Sequence, residues 1–320
     1  MRGGRPRPFP APPRELEASA AELICKSYAP ATLLNYHRAW LDFKTFLSQA
    51  QLPDSFPHSE AIIELYITYL ANSEVSLGLI KGALSAIAWH HKAGHQPDPT
   101  KSFGAKRMLA ALTKEAPAPK KADPISLLAL ETCLDKLREL GLPSYDTKLV
   151  KAMLLLLYYG CLRVGEVALS SNPDTILRYG NSEFLTLNGV RHFKFTLVKY
   201  KHSKGPIALC LPPNPSSRHC PVSAIWEYFS VRPRGGEHCF VLANGSPVPR
   251  TFIAAQLAKL LGLGGFTAGH FGTHSLRAGR ATDLAAAGVS DAEIRATGRW
   301  SSDAFKGYLR FPILPAARSL

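Results

Sequence analysis

A short segment rich in proline and lysine constrains the fold more than any other feature of this chain. Residues 114–124, KEAPAPKKADP, contain three prolines and three lysines. Proline removes a backbone donor and fixes φ, so neither a helix nor a strand is expected to run through this segment. A chain of 320 residues is also long for one core. We therefore predict a disordered basic arm at 1–13, a domain at 14–114, a linker at 115–124 and a domain at 125–320.

The first domain is predicted to be a small all-α domain. Apolar residues recur at helical spacing between residues 33 and 47, and again between 62 and 70, where Ser59 is placed to cap the helix. A third helix is expected at about 77–92, and a short fourth one around 108–112.

The second domain is predicted to mix helices with a few strands. Residues 147–159 form a strongly apolar run that indicates a buried helix, and Gly160 is expected to end it. Short alternating or β-branched runs indicate strands at 184–187, 192–198 and 207–211. Further helices are expected at 126–140, 221–229, 250–261 and across 273–309. The fold class is therefore mainly α with a small β-sheet.

The charge of the chain indicates a polyanionic partner. The formal net charge is +14 and the pI about 9.6, in a chain whose 46% hydrophobic and 19% charged residues are typical of a globular protein. Nucleic acid is the commonest polyanion for such a protein. The alternative is a basic protein that binds acidic surfaces in general.

The cysteine pattern and the hydropathy indicate the kind of cellular compartment in which the protein is expected. The six cysteines are scattered, and no pair has CxxC spacing, so a reducing compartment is favoured over a disulfide framework. Zinc-finger spacings are missing, and no metal site is predicted. No run reaches the ~18 apolar residues of a membrane span, and the amino terminus lacks the apolar core of a secretory signal. An intracellular protein that does not enter a membrane is expected, in a nucleus or a bacterial cytoplasm.

Two segments carry arginines in contexts that suit phosphate chemistry. Arg163 follows the buried helix directly, where a guanidinium is costly without a partner, and Glu166 lies three residues on. A simple Arg163–Glu166 ion pair is the structural alternative. His274 and Arg277 are also three residues apart, so on a helix they share a face and offer one titratable group and one planar double donor.

Two other segments add donors and a nucleophile. Trp300 carries an indole N–H and Tyr308 a phenol, although each alone is equally explained as a core aromatic residue. Lys199, Lys201 and Lys204 lie in the turn that follows the second predicted strand. Such a turn can carry a lysine into a groove, or it can be a solvated basic turn.

The order of these groups along the chain resembles the tyrosine recombinase, or phage integrase, family. The segments HSLRAGRAT (274–282) and GRWSSDAFKGYLR (298–310) are the most specific, and they are most similar to recombinases of DIRS-type and Crypton-type mobile elements. Residues 27–47 look like part of the family's helical, SAM-like core-binding domain. Residues from 123 onward look like its mixed α+β catalytic domain.

The resemblance implies a role for each matching residue. Arg163 and Arg277 would grip the non-bridging oxygens of the scissile phosphate, and His274 would handle protons and bind the same phosphate. Trp300 stands where the family has a His or Trp donor, and Tyr308 is the nucleophile. Trp300 and Tyr308 lie one residue closer together than in most cellular and phage members, a spacing that the mobile-element members share.

The resemblance also implies a general acid and a bracing residue. Lys201 is expected to be the general acid that protonates the leaving 5′ oxygen. Lys199 and Lys204 lie close enough in sequence to be alternative candidates for this role. Glu166 matches the acidic residue that lies behind the first arginine. Oriented cations and an indole donor can stabilise the charge of the transition state by about 3–4 kcal/mol for each donor. Neither metal nor ATP nor any other cofactor is then expected.

The resemblance predicts a site-specific DNA recombinase or integrase acting on double-stranded DNA as a homo-oligomer, a tetramer in most of the family. It would cleave and rejoin strands through a 3′-phosphotyrosine intermediate. Three alternatives stay open at this point. They are a domesticated DNA-binding protein of the same fold without turnover, a type IB topoisomerase-like enzyme that nicks and reseals, and a basic protein-interaction scaffold.

Overall fold

The computed structural model describes residues 13–117, 122–170, 172–201, 203 and 205–309. The chain divides into two compact units, Met1–Pro119 and Lys120–Leu320. This division falls inside the segment where the sequence predicts a linker, after a helix that continues to Glu115. The predicted basic arm lies outside the described residues, except for its last residue.

The first unit is helical throughout its regular structure. Ser59 caps one helix as predicted, because its hydroxyl oxygen accepts the N–H of Ile62 at 3.4 Å. Phe43, Ile63 and Ile87 come from three different helices and are fully buried in a shared core. The helices are α1 Pro13–Lys26, α2 Pro30–Gln49, α3 Glu60–Asn72, α4 Leu77–Ala93 and α5 Phe103–Glu115.

Histidines and aromatic rings pack together in one part of the first unit. The backbone N–H of His58 donates to His91 Nε2 at 3.1 Å, and His58 Nε2 lies 3.1 Å from an oxygen of Asp54. His90 stacks on Trp40 with ring centroids 4.0 Å apart. Burial lowers the pKa of His58, and burial also lowers the pKa of His90 to about 4, with smaller contributions from nearby cations.

The second unit combines six α-helices in its described part with one antiparallel sheet. The strands follow one another in the order β1-β2-β3. Asn188 and Gly189 connect β1 to β2, and both have positive φ, as a tight hairpin turn requires. The elements are α6 Leu127–Asp135, α7 Ser144–Tyr159, β1 Ser182–Leu187, β2 Val190–Leu197, β3 Ile207–Leu211, α8 Pro221–Phe229, α9 Arg250–Leu263, α10 Thr273–Ala286 and α11 Asp291–Gly298.

The buried centre of this unit is α7. Residues 152–158 have no exposed surface, and α8, α9 and α10 pack around the helix. Phe193 and Phe195 of β2 join the same core. The prediction of a buried helix over residues 147–159 is thus confirmed, because an apolar run without a polar face can fold stably only when it is surrounded.

Two predicted helices are interrupted. The first, at 126–140, consists of α6 and a separate 3₁₀ turn at Leu137–Leu140. The second, at 273–309, is divided into α10, α11 and a 3₁₀ turn at Asp303–Gly307. Gly288 and Arg299 have φ of +77° and +56°, which no α-helix accommodates. Tyr308 therefore follows a short 3₁₀ turn and does not lie within a long helix.

Three of the six cysteines, Cys133, Cys161 and Cys239, are buried as small apolar side chains, whereas Cys210 is exposed. All six are unpaired, and burial raises the pKa of the Cys133 thiol to about 11 and that of Cys239 to about 12. Over the described stretches, no three His, Cys, Asp or Glu side chains gather as a metal site requires. In the same stretches no helix has both the length and the apolar character needed to cross a membrane.

A glycine allows α10 to approach the start of the second unit. The N–H of Ile125 donates to the carbonyl of Ser275 at 2.9 Å. A Cβ placed on Gly279 would lie 1.7 Å from the carbonyl oxygen of Ile125, which is far inside contact distance. A residue with a side chain at position 279 would therefore separate the two segments.

We expect Gly279→Ala to destabilise the protein by about 3 kcal/mol, because the added methyl group meets backbone that cannot rotate away. Gly262→Ala is the matched control, since its Cβ meets nothing within 4 Å and lies on α9. The control should be neutral or stabilising by up to ~1 kcal/mol. Scanning calorimetry would measure both, and equal melting temperatures for the two variants would contradict the close approach.

We also expect acid to destabilise the first unit through His58 and His90. Their folded pKa values lie below the ~6.5 of an unfolded histidine, so their contribution is complete above pH 6.5 and is lost as the pH falls toward 4. His90→Phe keeps a ring on Trp40 but removes the titration. Between pH 7.5 and pH 5, thermal unfolding of the variant should show about 1 kcal/mol less destabilisation than the wild type. An identical decline in both proteins would refute this assignment.

Candidate active site

The site is built on the turn that ends α7. Gly160 follows the helix, and Cys161 has φ of +48°. The N–H of Leu162 donates back to the carbonyl of Leu157 at 3.0 Å, and the N–H of Cys161 to the carbonyl of Tyr158 at 3.0 Å. These two bonds close the helix in the manner of a left-handed cap. Arg163, which follows Leu162, then has an extended backbone conformation.

Two arginines bind the carbonyl groups at this turn. Arg277 Nη1 donates to the carbonyl of Cys161 at 2.8 Å. Arg299 donates to the carbonyl of Gly160 at 3.2 Å and to that of Cys161 at 3.3 Å. The carboxyl end of a helix carries a partial negative charge and unsatisfied carbonyls, so it favours cations. Both guanidinium groups are buried, and the turn supplies acceptors for them.

Glu166 connects the first arginine to the last segment of the site. Its carboxylate accepts the backbone N–H of Arg163 at 2.9 Å, Arg163 Nη1 at 3.1 Å and Arg299 Nη2 at 2.8 Å. Glu166 is only 3% exposed, whereas 24% of the Arg163 side chain is exposed. The predicted Arg163–Glu166 pair is present, and Arg299 joins it as a second, buried partner.

His274 and Arg277, the two site residues predicted on α10, have different environments. His274 is exposed at a cavity wall, whereas Arg277 is fully buried. The second Nη of Arg277 donates to the carbonyl of Gly298, and the guanidinium lies 4.3 Å from the centre of the Trp300 ring. Arg277 is thus enclosed in this structure and does not line the cavity. Thr273 is the first residue of α10, so it is not the helix cap.

The predicted nucleophile lies beside two of the predicted site residues. The ring centroid of Tyr308 is 6.0 Å from that of His274 and 5.7 Å from that of Trp300. A Cβ on Gly298 would lie 1.7 Å from the Trp300 ring, so this position requires glycine. Trp300 covers Arg277 on one side and contacts Tyr308 on another.

A cavity of about 310 Å³ brings together groups that are remote in sequence. It is lined by Arg163, Glu166, Lys201 and His274, with Val164, Gly165, Ser170, Thr175, Arg250 and Thr273. Among the three lysines that are candidates for the general acid, Lys201 lines the cavity in the part of the chain that the structure describes. Lys199 instead forms an ion pair with Asp174 at 2.7 Å. Lys204 lies outside the described residues.

The surroundings of His274 lower its pKa and so favour the neutral imidazole. The surrounding protein atoms lower its pKa below the usual 6.5, and the positive charges of Arg277 and Arg163 lower it further. Glu166 opposes this shift weakly. A neutral imidazole next to a phenol can accept a proton from it.

Sequence reasoning missed Arg250, which lines the same cavity. Its Nη2 donates to the hydroxyl of Ser170 at 2.7 Å, and it is the first residue of α9. A signal was available, because a cation in the first turn of a helix is electrostatically unfavourable and needs another reason to be there. The structural role of Arg299 was also missed, although the residue lies within the GRW motif.

No protein-family model matches this sequence, and no curated protein is significantly similar to it. Solved structures do match over almost the whole chain. The XerH site-specific recombinase bound to palindromic difH substrate superposes with a TM-score of 0.62 at 15% identity, covering 92% of this chain and 81% of that chain.

Two other solved structures give the same result. The Tn1549 transposon integrase in complex with circular intermediate DNA has a TM-score of 0.59 at 15% identity and covers 93% of this chain and 95% of that chain. The lambda integrase dimer bound to a COC′ core site has a TM-score of 0.57 at 14% identity, with coverage of 92% and 76%. The chain therefore has the tyrosine-recombinase fold, a mainly helical fold with a small antiparallel sheet in the second unit.

Proposed function

We propose that this protein is a site-specific DNA recombinase or integrase that cleaves and rejoins strands through a covalent phosphotyrosine. The observation that carries the proposal is the convergence of remote groups in one unit. Arg163, Lys201 and His274 meet at one cavity, and the phenol of Tyr308 lies beside His274. The fold shared with DNA-bound recombinases and integrases supports the same conclusion.

The proposed reaction exchanges one phosphate ester for another. The oxygen of Tyr308 attacks phosphorus in line, and the bond from phosphorus to the 5′ oxygen breaks. The proton of the phenol passes to His274, and Lys201 gives a proton to the departing 5′ oxygen. The product is a 3′-phosphotyrosine and a free 5′ hydroxyl. A 5′ hydroxyl can reverse the attack on the old or a new strand, and the step consumes neither ATP nor metal.

The arginines have unequal access to the proposed substrate. Arg163 is oriented by Glu166 and partly exposed to the cavity, so it can contact a phosphate oxygen directly. Arg277 would serve as the second clamp, as its motif implies. Because its side chain is fully buried, with the Trp300 ring 4.3 Å away, a phosphate can reach it only after neighbouring groups rearrange.

The proposed partner is double-stranded DNA, and strand exchange between two duplexes implies an oligomer, with a tetramer as the proposed assembly. The motif resemblance supports an origin in a mobile element. A DNA substrate and reduced cysteines suit a nucleus or a bacterial cytoplasm.

A second candidate function is a DNA-binding protein of this fold that does not turn over. The enclosed Arg277 favours it, since its guanidinium is fully buried, donates to two backbone carbonyls and does not face the cavity. The two functions differ in one measurable product, the covalent adduct.

We expect the protein to form an SDS-resistant adduct with a nicked suicide duplex drawn from the flanks of its own gene. Tyr308→Phe should abolish the adduct, by at least ~10³-fold, because the nucleophilic oxygen is gone. Tyr179→Phe is the matched control, since Tyr179 packs on Phe229 and does not line the cavity. Binding without an adduct on any duplex would favour the inactive protein. An adduct in Tyr308→Phe would place the nucleophile elsewhere.

We expect the rate of adduct formation to follow the neutral form of His274. Its pKa is lowered from 6.5, so the rate should be level above pH 6.5 and fall only as the pH drops through a lower value. His274→Gln should reduce the rate by about 10²–10⁴-fold and remove this acidic limb. Single-turnover rates between pH 5 and pH 8 would measure it. Persistence of the limb in the variant would assign it to another group.

A further inference from the structure

Arg250 is a cavity cation that the proposed strand-transfer step does not use. It reaches the cavity from the first turn of α9, whereas Arg163 follows α7 and Lys201 follows β2. Its guanidinium is exposed, and its hydrogen bond in the structure goes to a neutral hydroxyl, Ser170 Oγ, at 2.7 Å. No carboxylate lies within 4.0 Å of it among the ion pairs of the described residues.

The residues around Arg250 leave space for its guanidinium at the cavity wall. A Cβ on Gly165 would lie 2.3 Å from Arg250 Nη2 and 2.9 Å from Cζ, so a larger residue at position 165 would push the guanidinium out of its present position. Ser170 Oγ also accepts the N–H of Asn172 at 3.4 Å. Both of these bonds use lone pairs of the hydroxyl, so its own proton is still available for an acceptor in the cavity.

The electrostatics of this corner favour an anion. A cation at the amino end of a helix is destabilising, because the helix dipole repels it. Arg163 and Lys201 add two more positive charges to the same walls, and the lining carboxylate, Glu166, is already shared with the buried Arg299. A single hydrogen bond to a serine hydroxyl does not explain why a cation is kept there.

The size of the cavity allows more than one phosphate. Its volume of about 310 Å³ is more than the four oxygens of one phosphate occupy. We propose that Arg250, oriented by Ser170, binds the phosphate next to the scissile one on the cleaved strand. This inference rests on the proposed function. Arg250 would act as a positioning residue that sets the register of the strand over Tyr308.

The first test is the salt dependence of DNA binding, which needs no known target site. Fluorescence anisotropy with a mixed-sequence 30-bp duplex would compare the wild type, Arg250→Gln and Arg191→Gln. Loss of one phosphate contact should reduce the slope of log K against log salt by about 0.9, with a roughly 5- to 20-fold weaker affinity near 0.15 M salt. Arg191 stacks on Trp226 at 3.8 Å and does not line the cavity, so its variant should keep the wild-type slope more closely.

A second variant tests the placement of the guanidinium without changing charge. In Gly165→Ala the new methyl group must displace Arg250, whose flexible end can move at little cost to folding. We expect Gly165→Ala to weaken binding in the wild-type background and to add little in the Arg250→Gln background. Additive effects of the two changes, or a wild-type slope in Arg250→Gln, would overturn the proposal. A change in melting temperature alone would assign a purely structural role.

The third test locates the phosphate on a duplex that supports adduct formation. A neutral methylphosphonate, placed one step to either side of the cleaved position in turn, should slow the wild type about 5- to 20-fold at one of the two positions. The same substitution should barely affect Arg250→Gln. An adduct with no such interdependence refutes the inference and leaves the proposed function intact. If Arg250→Gln lowers the salt slope but the wild type never forms an adduct, strand transfer is refuted. The contact between Arg250 and a DNA phosphate is then retained.

Discussion

The buried carboxylate of Glu166 is the interaction on which the geometry of the site depends. A carboxylate with 3% exposure is stable only when it is paired and fully hydrogen-bonded, and here two arginines and a backbone N–H provide that. One partner, Arg163, follows α7, and the other, Arg299, follows α11. The same charge therefore orients a cavity cation and holds in place the segment that leads to Trp300 and Tyr308.

The four arginines of the site fall into two classes by their burial. Arg277 and Arg299 are buried and donate to the carbonyls that the helix leaves unsatisfied. Arg163 and Arg250 have exposed surface and line the cavity. The first pair holds the turn together, and the second pair is available to a ligand. Sequence motifs do not distinguish these classes, because the residue type is the same in both and the contacts that separate them come from segments distant in sequence.

Much of the fold follows from local patterns, whereas the site follows from contacts between distant segments. The apolar run over 147–159, the three strands and the Ser59 cap were predictable because spacing and side-chain chemistry act over a few residues. The break at Arg299 was not, since a left-handed arginine is stabilised by Glu166, which lies more than a hundred residues earlier. Arg250 was missed for the same reason: its neighbours, Ser170 and Gly165, are distant in sequence.

The enclosure of Arg277 ties access to the second arginine to the position of the nucleophile. Trp300 contacts both Arg277 and Tyr308, so a displacement of Trp300 that exposes the guanidinium also changes the packing of the phenol ring. Trp300 packs in a small cluster with Ile294 and Phe305 that is separate from the main core around α7. A rearrangement confined to this cluster does not open the main core, and so costs far less than partial unfolding of the unit. Such an arrangement would let phosphate binding and nucleophile placement occur together.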